Sequence, residues 1–269
     1  MSVAIDLAGK RVLVVGGSAG IGRGAALAAA EAGASITIVG RSSDKLKEVV
    51  TTAGTGTAIV ADVTEPDRCA QLVAEAVDAM GGIDALIYST GVSPLAPLDE
   101  VDAETWQRVI ATNSIAPALV TRAALPHLSA DGVVVFLSSI TVGGIHFGLG
   151  PYAASKAALD RTVRSWRAEQ PDTRFVCMAV GDTEDTDFAR DFDMARAAEL
   201  TPKWVAASVI YKNRMLSADL GRTIAEFVAM LLAHPGLTIP DLTVVPSGGM
   251  LTMDDVQELM DTLAQVASP

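Results

Sequence analysis

The most specific chemical signal in the sequence is a tyrosine that precedes a lysine by four residues. Tyr152 and Lys156 fall near the start of a predicted helix, where this separation places both side chains on one face, one turn apart. A free phenol titrates at about 10, too high for proton transfer at neutral pH, but a neighbouring ammonium favours the phenolate and lowers that pKa. Ser139, just after a predicted strand, can hydrogen-bond a carbonyl or hydroxyl beside the phenol. The three residues predict general acid/base chemistry, although the Tyr-x-x-x-Lys spacing alone also fits a solvated helix pair.

A second signal is a glycine-rich turn between the first predicted strand and the first predicted helix. Residues 16–22 read Gly-Gly-Ser-Ala-Gly-Ile-Gly. Glycines allow a tight turn and let the backbone approach a pyrophosphate, while the helix N-terminus supplies free N–H groups and a positive dipole end. The spacing is G-x-x-x-G-x-G rather than the commoner G-x-G-x-x-G, but its place in the chain is that of a dinucleotide site. The cofactor-binding residues predicted in this turn are Gly16, Ser18, Gly20, Ile21 and Gly22.

The end of the second predicted strand indicates which dinucleotide is bound. An acidic residue about 20 positions past the glycines would bond the ribose hydroxyls and favour NAD(H). This chain has Gly40 there, followed by Arg41 and Ser42. A guanidinium with flanking hydroxyls suits a 2′-phosphate, so we expect NADP(H) to be favoured over NAD(H), the alternative being an ordinary surface arginine. After the third strand, Asp62 and Val63 could meet the adenine, although Asp62 could equally cap the following helix.

Short β-branched runs alternate with alanine-rich helical stretches along the whole chain. The predicted strands are 11–15, 35–39, 57–61, 85–88, 133–137, 175–179 and 242–245. The predicted helices are 20–32, 43–53, 66 to the Gly81-Gly82 stop, 102 to about 128, 152–168 and 219–233. Continuous apolar strands separated by helices predict an α/β fold: a doubly wound, Rossmann-like parallel sheet of about seven strands with helices on both faces. We expect one domain over residues 1–269.

The regular alternation is interrupted over residues 181–212, which we predict to be irregular. Residues 182–193 contain six acidic residues and one arginine, a net charge of -5. A long irregular insertion in a compact fold is typically a lid or a binding loop. We therefore expect a substrate lid at 182–212, the alternative being an ordinary solvated surface segment.

Composition and charge exclude several classes of partner. The chain has 269 residues, 20 basic and 32 acidic, for a net charge of -12 that repels nucleic acid and anionic membrane surfaces. Two cysteines and three scattered histidines offer no metal-ligand spacing. The N-terminus lacks the pattern of a secretory signal, and no apolar run approaches the roughly 20 residues of a membrane span. We expect a cytoplasmic protein without a metal, a nucleic acid or a membrane as partner.

Taken together, these motifs resemble the short-chain dehydrogenase/reductase family over nearly the whole chain. The resemblance is carried by Gly16-x-x-x-Gly20-Ile21-Gly22, Asp62-Val63, Asn113, Ser138-Ser139 and Tyr152-x-x-x-Lys156. It implies that Tyr152 donates the proton in reduction and accepts it in oxidation. It also implies that Lys156 holds the nicotinamide ribose, that Ser139 orients the substrate oxygen, and that Asn113 holds a water that continues a proton relay. Relatives of this kind are mostly homo-oligomers, tetramers or dimers, built on the long helix and the tyrosine-bearing helix.

Three departures from the family pattern concern the cofactor side of the site. Tyr88-Ser89-Thr90-Gly91 stands where the family usually has Asn-Asn-Ala-Gly, and Val15 stands where it usually has threonine. Val180-Gly181 replaces Pro-Gly, and the threonine that follows, Thr186, is one residue further on than usual. The further cofactor-binding residues implied by the resemblance are Thr90, Gly91, Tyr152, Lys156, Gly181 and Thr186.

The residues around the expected pocket indicate the substrate class. We expect the pocket residues to come from 141–150, 93–95 and the lid after Gly181. The first of these stretches is largely apolar, which favours a small, neutral or weakly polar carbonyl or secondary alcohol, and the acidic 182–193 segment disfavours a strongly anionic one. We expect an NADP(H)-dependent oxidoreductase with Tyr152 as general acid/base and a small-molecule substrate. The alternative is a nucleotide-binding or regulatory protein of the same fold without turnover. A sugar-nucleotide epimerase is disfavoured, because it would need a substantial C-terminal substrate domain. We expect His146 to be an ordinary loop residue rather than a substrate contact.

Overall fold

The computed structural model describes residues 5–258. Residues 1–4 and 259–269 lie outside the described residues, so the expectations of a single domain over 1–269 and of an N-terminus without a secretory signal fall partly on residues that are not described. The strands are β1 (Arg11–Val15), β2 (Ser35–Gly40), β3 (Thr57–Val60), β4 (Ile83–Tyr88), β5 (Leu128–Ser139), β6 (Arg174–Val180), β7 (Thr183–Glu184), β8 (Met215–Leu216) and β9 (Asp241–Val244). The helices are α1 (Gly20–Glu31), α2 (Ser43–Ala53), α3 (Pro66–Met80), α4 (Ala103–Ile110), α5 (Ala116–Ala124), α6 (Gly150–Glu169), α7 (Met194–Ala206) and α8 (Ser217–Ala233).

A parallel sheet of seven strands, in the order β3-β2-β1-β4-β5-β6-β9, forms the centre of the described chain. The predicted doubly wound α/β fold is confirmed. The strand order reverses between β1 and β4, and in such sheets ligands bind outside the carboxyl ends of the strands at this switch point. The glycine-rich turn follows β1 and therefore lies at that crevice.

Two apolar layers cover the faces of the sheet. Neighbouring residues of β1 point to opposite faces, so Val12 and Val14 pack in one layer while Leu13 and Val15 pack in the other. Helices α1, α2 and α8 contribute to the first layer, and α3, α5 and α6 to the second. The buried layers on both sides explain why the strands read as continuous apolar runs. Within residues 5–258, no helix combines the length and the apolarity that crossing a bilayer requires.

The predicted long helix from 102 to about 128 is divided in the structure. A π-helical turn, Ala111–Ile115, separates α4 from α5, and a short 3₁₀ turn, Leu125–His127, follows. Pro117 has no N–H to donate to the carbonyl of Asn113 four residues earlier, so the regular α-helical ladder cannot pass this point. The strand after it, β5, begins at Leu128 rather than Val133.

The prediction that residues 181–212 are irregular is wrong in part. This segment contains β7, which pairs with β8, a 3₁₀ turn at Asp187–Ala189, and the 13-residue helix α7. The Asp193 side chain caps α7 by accepting a hydrogen bond from the Ala195 N–H at 2.9 Å. The helix forms because its apolar face, including Leu200, packs against Leu95 and Leu149.

Candidate active site

The predicted tyrosine and lysine lie side by side in the first turns of α6. Tyr152 is 8% exposed and Lys156 is 4% exposed. The Lys156 Nζ lies 5.8 Å from the centre of the Tyr152 ring and donates a hydrogen bond to the Leu137 carbonyl at 2.7 Å. The helix spacing read from the sequence therefore brings the two groups together beneath the end of β5.

Burial sets the proton affinity of both groups. It lowers the pKa of Lys156 to about 8, because the ammonium is removed from water. It raises the pKa of Tyr152 to about 12, against the opposing effect of a hydrogen bond from Ser139. The sequence argument predicted a lowered tyrosine pKa, and in this structure the pKa is raised instead because desolvation outweighs the hydrogen bond from Ser139. The phenol keeps its proton in this state.

Ser139 ends β5 and faces the phenol. Its Oγ accepts hydrogen bonds from the Thr141 N–H at 3.2 Å and from the Thr141 hydroxyl at 3.0 Å. With both of these donated to it, the Ser139 hydroxyl has its own proton to give to an oxygen beside Tyr152. Thr141 thus orients Ser139, a role that the sequence reasoning missed, since Thr141 was assigned to the pocket only as part of a loop.

Asn113 lies in the π-helical turn and is fully buried. Its side-chain oxygen accepts from the Val92 N–H at 2.9 Å, and its side-chain nitrogen donates to the Val92 carbonyl and the Ser155 hydroxyl, each at 2.9 Å. The amide therefore holds the loop after β4 against α6. Its backbone carbonyl lacks the donor that an α-helix would supply, because Pro117 is four residues on.

In the glycine turn, segments of backbone lie too close to one another to leave room for a side chain. A Cβ at Gly22 would lie 2.3 Å from the Gly16 carbonyl oxygen, and Gly16 and Gly20 have φ of +92° and +52°. Helix α1 begins after Ala19, whose methyl group cannot cap it, so its first N–H groups point towards the crevice uncapped by that side chain. A Cβ at Gly16 would lie 2.8 Å from the Thr90 Oγ1, which places predicted Thr90 against the turn.

The residues predicted to hold the 2′-phosphate, Arg41 and Ser42, directly follow β2. Arg41 is exposed, and Gly40 packs so closely on Ser18 that a Cβ there would lie 2.9 Å from its Oγ. Ser42 caps α2 by accepting from the Lys45 N–H at 3.4 Å. This end of the sheet therefore presents cationic and hydroxyl groups.

Asp62, predicted to meet the adenine, lies just after β3 and caps no helix. Its Oδ1 accepts from the Thr64 N–H and hydroxyl at 2.9 and 2.7 Å, while the N-terminal cap position of α3 is Glu65. Burial raises the pKa of Asp62, but the hydrogen bonds from Thr64 and the charge of Arg41 bring it below its usual value. The capping alternative is wrong, and Val63, buried beside it, also lies at this edge.

The segment after β6 reaches back over the glycine turn. Gly181 donates its N–H to the Val244 carbonyl at 2.9 Å, and Asp185 adopts a left-handed conformation with φ of +57°. The chain then passes Gly20, where a Cβ would lie 3.3 Å from the Thr186 Cγ2. Thr186, one residue later than the family pattern, is therefore the threonine beside the turn.

An aromatic residue that sequence reasoning did not single out covers the candidate acid/base. The rings of Phe188 and Tyr152 lie edge to face, with centroids 5.2 Å apart at 72°. Phe188 in turn lies edge to face with Phe192, 5.3 Å away at 66°. Its position in an acidic surface segment gave no periodic signal, and only the path of the chain brings it to the site.

The chain is similar to known dehydrogenases and reductases. The family model for short chain dehydrogenase matches residues 10–197. A short chain dehydrogenase of Pseudocercospora fijiensis is 34% identical over 183 residues, 65% of this chain and 59% of that protein. A hydroxynaphthalene reductase-like protein of Metarhizium guizhouense is 29% identical over 246 residues, 86% of this chain and 90% of that protein.

Solved structures show the same architecture. A dehydrogenase/reductase from Sinorhizobium meliloti superposes with a TM-score of 0.77 at 27% identity, covering 90% of this chain and 96% of that one. A short chain dehydrogenase from Burkholderia cenocepacia, solved in complex with NADP, gives a TM-score of 0.77 at 26% identity and covers 89% of this chain and 97% of that one.

Proposed function

This chain belongs to the short-chain dehydrogenase/reductase family, and we propose that it is an NADP(H)-dependent oxidoreductase that interconverts a carbonyl and a secondary alcohol on a small, largely neutral substrate. The observation that carries the proposal is the buried group of Ser139, Tyr152 and Lys156 at the carboxyl end of β5. This group stands at the same edge of the sheet as the glycine turn, so a dinucleotide lying along that edge would reach it.

The residues present fit a dinucleotide. The close approach of Gly22 to the Gly16 carbonyl leaves a backbone cradle that any Cβ would fill. The turn residues would hold the pyrophosphate, Arg41 and Ser42 the 2′-phosphate, Asp62 and Val63 the adenine, and Thr90, Gly91, Lys156, Gly181 and Thr186 the nicotinamide end. The bound cofactor supplies or accepts the hydride. The exposed guanidinium of Arg41 and the NADP complex of the Burkholderia relative support NADP(H) over NAD(H).

In reduction, Tyr152 gives its hydroxyl proton to the substrate oxygen. The raised pKa keeps that proton on the phenol until it is donated. The Ser139 hydroxyl, oriented by Thr141, hydrogen-bonds the same oxygen and fixes it beside the phenol. Lys156 returns a proton to Tyr152, and a water at the Asn113 carbonyl completes the relay to solvent. In oxidation the same proton moves in the opposite direction.

Further properties belong to the proposal. The 182–212 segment acts as the substrate lid, since it runs from the glycine turn past Tyr152. Small exposed residues on α6 (Ala154, Ala157 and Ala158) and the half-exposed Ile115 support a homo-oligomer, a dimer or a tetramer, built on α5 and α6.

We place the protein in the cytoplasm, as one domain. The relatives named hydroxynaphthalene reductase-like support carbonyl reduction as the direction to assay first.

The proposal is tested with Tyr152→Phe, which removes the transferable proton and keeps the ring. With NADPH and a panel of neutral ketones, we expect kcat/KM to fall by about 10²- to 10⁴-fold, while NADPH affinity is retained. NADPH binding without turnover by either protein would instead support a nucleotide-binding protein that has lost the reaction.

A further inference from the structure

We propose that the substrate carries an aromatic ring next to its carbonyl or alcohol, and that this ring binds in the slot that Phe188 fills between Tyr152 and Phe192. The inference rests on the proposed function and names the substrate class for it. Phe188 is thereby a specificity residue that occupies the slot until the substrate replaces it.

The slot is defined by two aromatic walls. Phe188 presents its ring edge to face with Tyr152 at 5.2 Å and with Phe192 at 5.3 Å. Both distances lie in the range of favourable aromatic pairs. A flat ring placed there would make the same two contacts and would hold an attached carbonyl next to the Tyr152 side chain.

Aromatic residues are scarce in this protein, and several of them lie near the slot between Tyr152 and Phe192. Aromatics are 4% of the chain, yet two of the six phenylalanines, Phe188 and Phe192, pack together beside Tyr152. Trp204 packs on the same small apolar cluster as Phe192, formed by Leu95, Leu149 and Leu200. The two main core layers are mostly aliphatic, so these rings are not the usual core filling of this chain.

Phe188 must leave before a substrate can reach the phenol, because Tyr152 is 8% exposed under it. The contacts of the turn that carries Phe188 are weak. Its N–H donates to the Thr186 hydroxyl at 3.4 Å, and the neighbouring Asp187 pairs with Arg190 inside the same turn. The ion pair of Asp187 with Lys45, outside the turn, is 3.9 Å long and lies between half-exposed side chains. The displacement therefore costs mainly the two ring contacts.

An aromatic substrate restores those contacts, and a saturated one does not. Edge-to-face pairing depends on the positive edge and negative face of aromatic rings, which an aliphatic ring lacks. The net charge of -5 over residues 182–193 further disfavours an aryl group that carries a carboxylate or phosphate. The slot therefore selects neutral aryl ketones and aryl carbinols.

The test compares acetophenone with cyclohexyl methyl ketone, which differ in the aromaticity of one ring. The intrinsic reactivity of each ketone is the same for every variant, so a change in the ratio of their kcat/KM values reports the slot. We expect Phe192→Leu to lower the acetophenone preference by about two- to tenfold. Phe227→Leu, a matched substitution on α8, leaves the ratio unchanged. Phe188→Ala lowers KM for both ketones because the slot is no longer occupied.

The outcomes separate this inference from the proposed function. A ratio unaffected by Phe192→Leu, or a raised KM in Phe188→Ala, overturns the slot while the reductase activity stands. The proposed function fails only if no ketone of the panel is reduced and no alcohol is oxidised, and in that case saturation-transfer NMR of both ketones on the NADP⁺-loaded protein decides the slot. Acetophenone binding that is preferred in the wild type and weakened in Phe192→Leu supports it, and equal binding overturns it.

Discussion

The Lys156 ammonium lies 5.8 Å from the centre of the Tyr152 ring and bonds the Leu137 carbonyl at 2.7 Å. Both side chains are nearly fully buried, and each therefore disfavours its charged form. Placing these two side chains where they can transfer a proton therefore costs the free energy of removing the Lys156 ammonium from water. Asp160, one turn further along α6, opposes the fall in the lysine pKa and hydrogen-bonds Ser138 at 2.5 Å.

Replacing the buried charge should stabilise the fold in a pH-dependent way. Lys156 has its pKa lowered from 10.5 to about 8 in the folded state, so between these values the unfolded chain binds more protons and wild-type stability rises with pH. Below pH 8 the full cost of the buried ammonium is present, about 3 kcal/mol at 1.36 kcal/mol per pKa unit. Lys156→Met should therefore gain most in the free energy of unfolding at pH 7, with the gain shrinking towards pH 9.5. A pH-independent difference in urea denaturation would contradict this.

Strand β1, the glycine turn and the helix that carries Tyr152 could be predicted from the sequence, because the patterns that indicate them are local. Residues 11–15 form a strand with the predicted bounds, and the glycines that follow meet a steric need fixed within a few residues. The four-residue spacing of Tyr152 and Lys156 is likewise a property of one helix. Local patterns of this kind carry over directly to the fold.

What could not be predicted depends on contacts between distant segments. The cover of Phe188 over Tyr152 and the helix α7, which contains Pro202, both follow from the path of the chain after β6. The direction of the tyrosine pKa depends on burial by several elements, whereas the sequence showed only the neighbouring lysine. The π-helical turn was not predicted: the sequence indicated one helix from 102 to about 128, and the division between α4 and α5 at Asn113 appears only in the structure.

The guanidinium at the end of β2 should decide cofactor preference. Arg41→Ala removes a charge-assisted contact to the 2′-phosphate, worth about 1.5–3 kcal/mol, and should weaken NADPH binding by about 10- to 150-fold with NADH affinity unchanged. Isothermal titration of both cofactors measures this, with Arg164→Ala, an exposed arginine far along α6, as the control. Tighter NADH binding that is indifferent to Arg41 would make the enzyme NAD-dependent.

The glycine cradle should tolerate no methyl group. In Gly22→Ala the new Cβ would lie 2.3 Å from the Gly16 carbonyl oxygen, so the turn must shift and its N–H groups lose their alignment. We expect NADPH affinity to fall by at least about tenfold, the loss of one charge-assisted hydrogen bond. Gly236→Ala, where a Cβ meets nothing within 4 Å, is the matched control and should bind normally. Equal affinity of the two variants would place the pyrophosphate elsewhere.

The proline after the π-helical turn should matter for proton transfer through the carbonyl of Asn113. Pro117→Ala supplies an N–H four residues after Asn113, which can close the α-helical hydrogen bond and withdraw that carbonyl from the relay water. The helix should be at least as stable, because alanine is the better helix former. We expect kcat to fall on the order of tenfold with KM for the ketone unchanged, since the substrate contacts are intact and only proton return is slowed. A solvent deuterium isotope effect that rises in Pro117→Ala identifies the proton step, and Pro126→Ala, in the 3₁₀ turn beyond α5, is the control. An unchanged kcat in a correctly folded Pro117→Ala protein would show that the proton returns to Tyr152 without the Asn113 carbonyl.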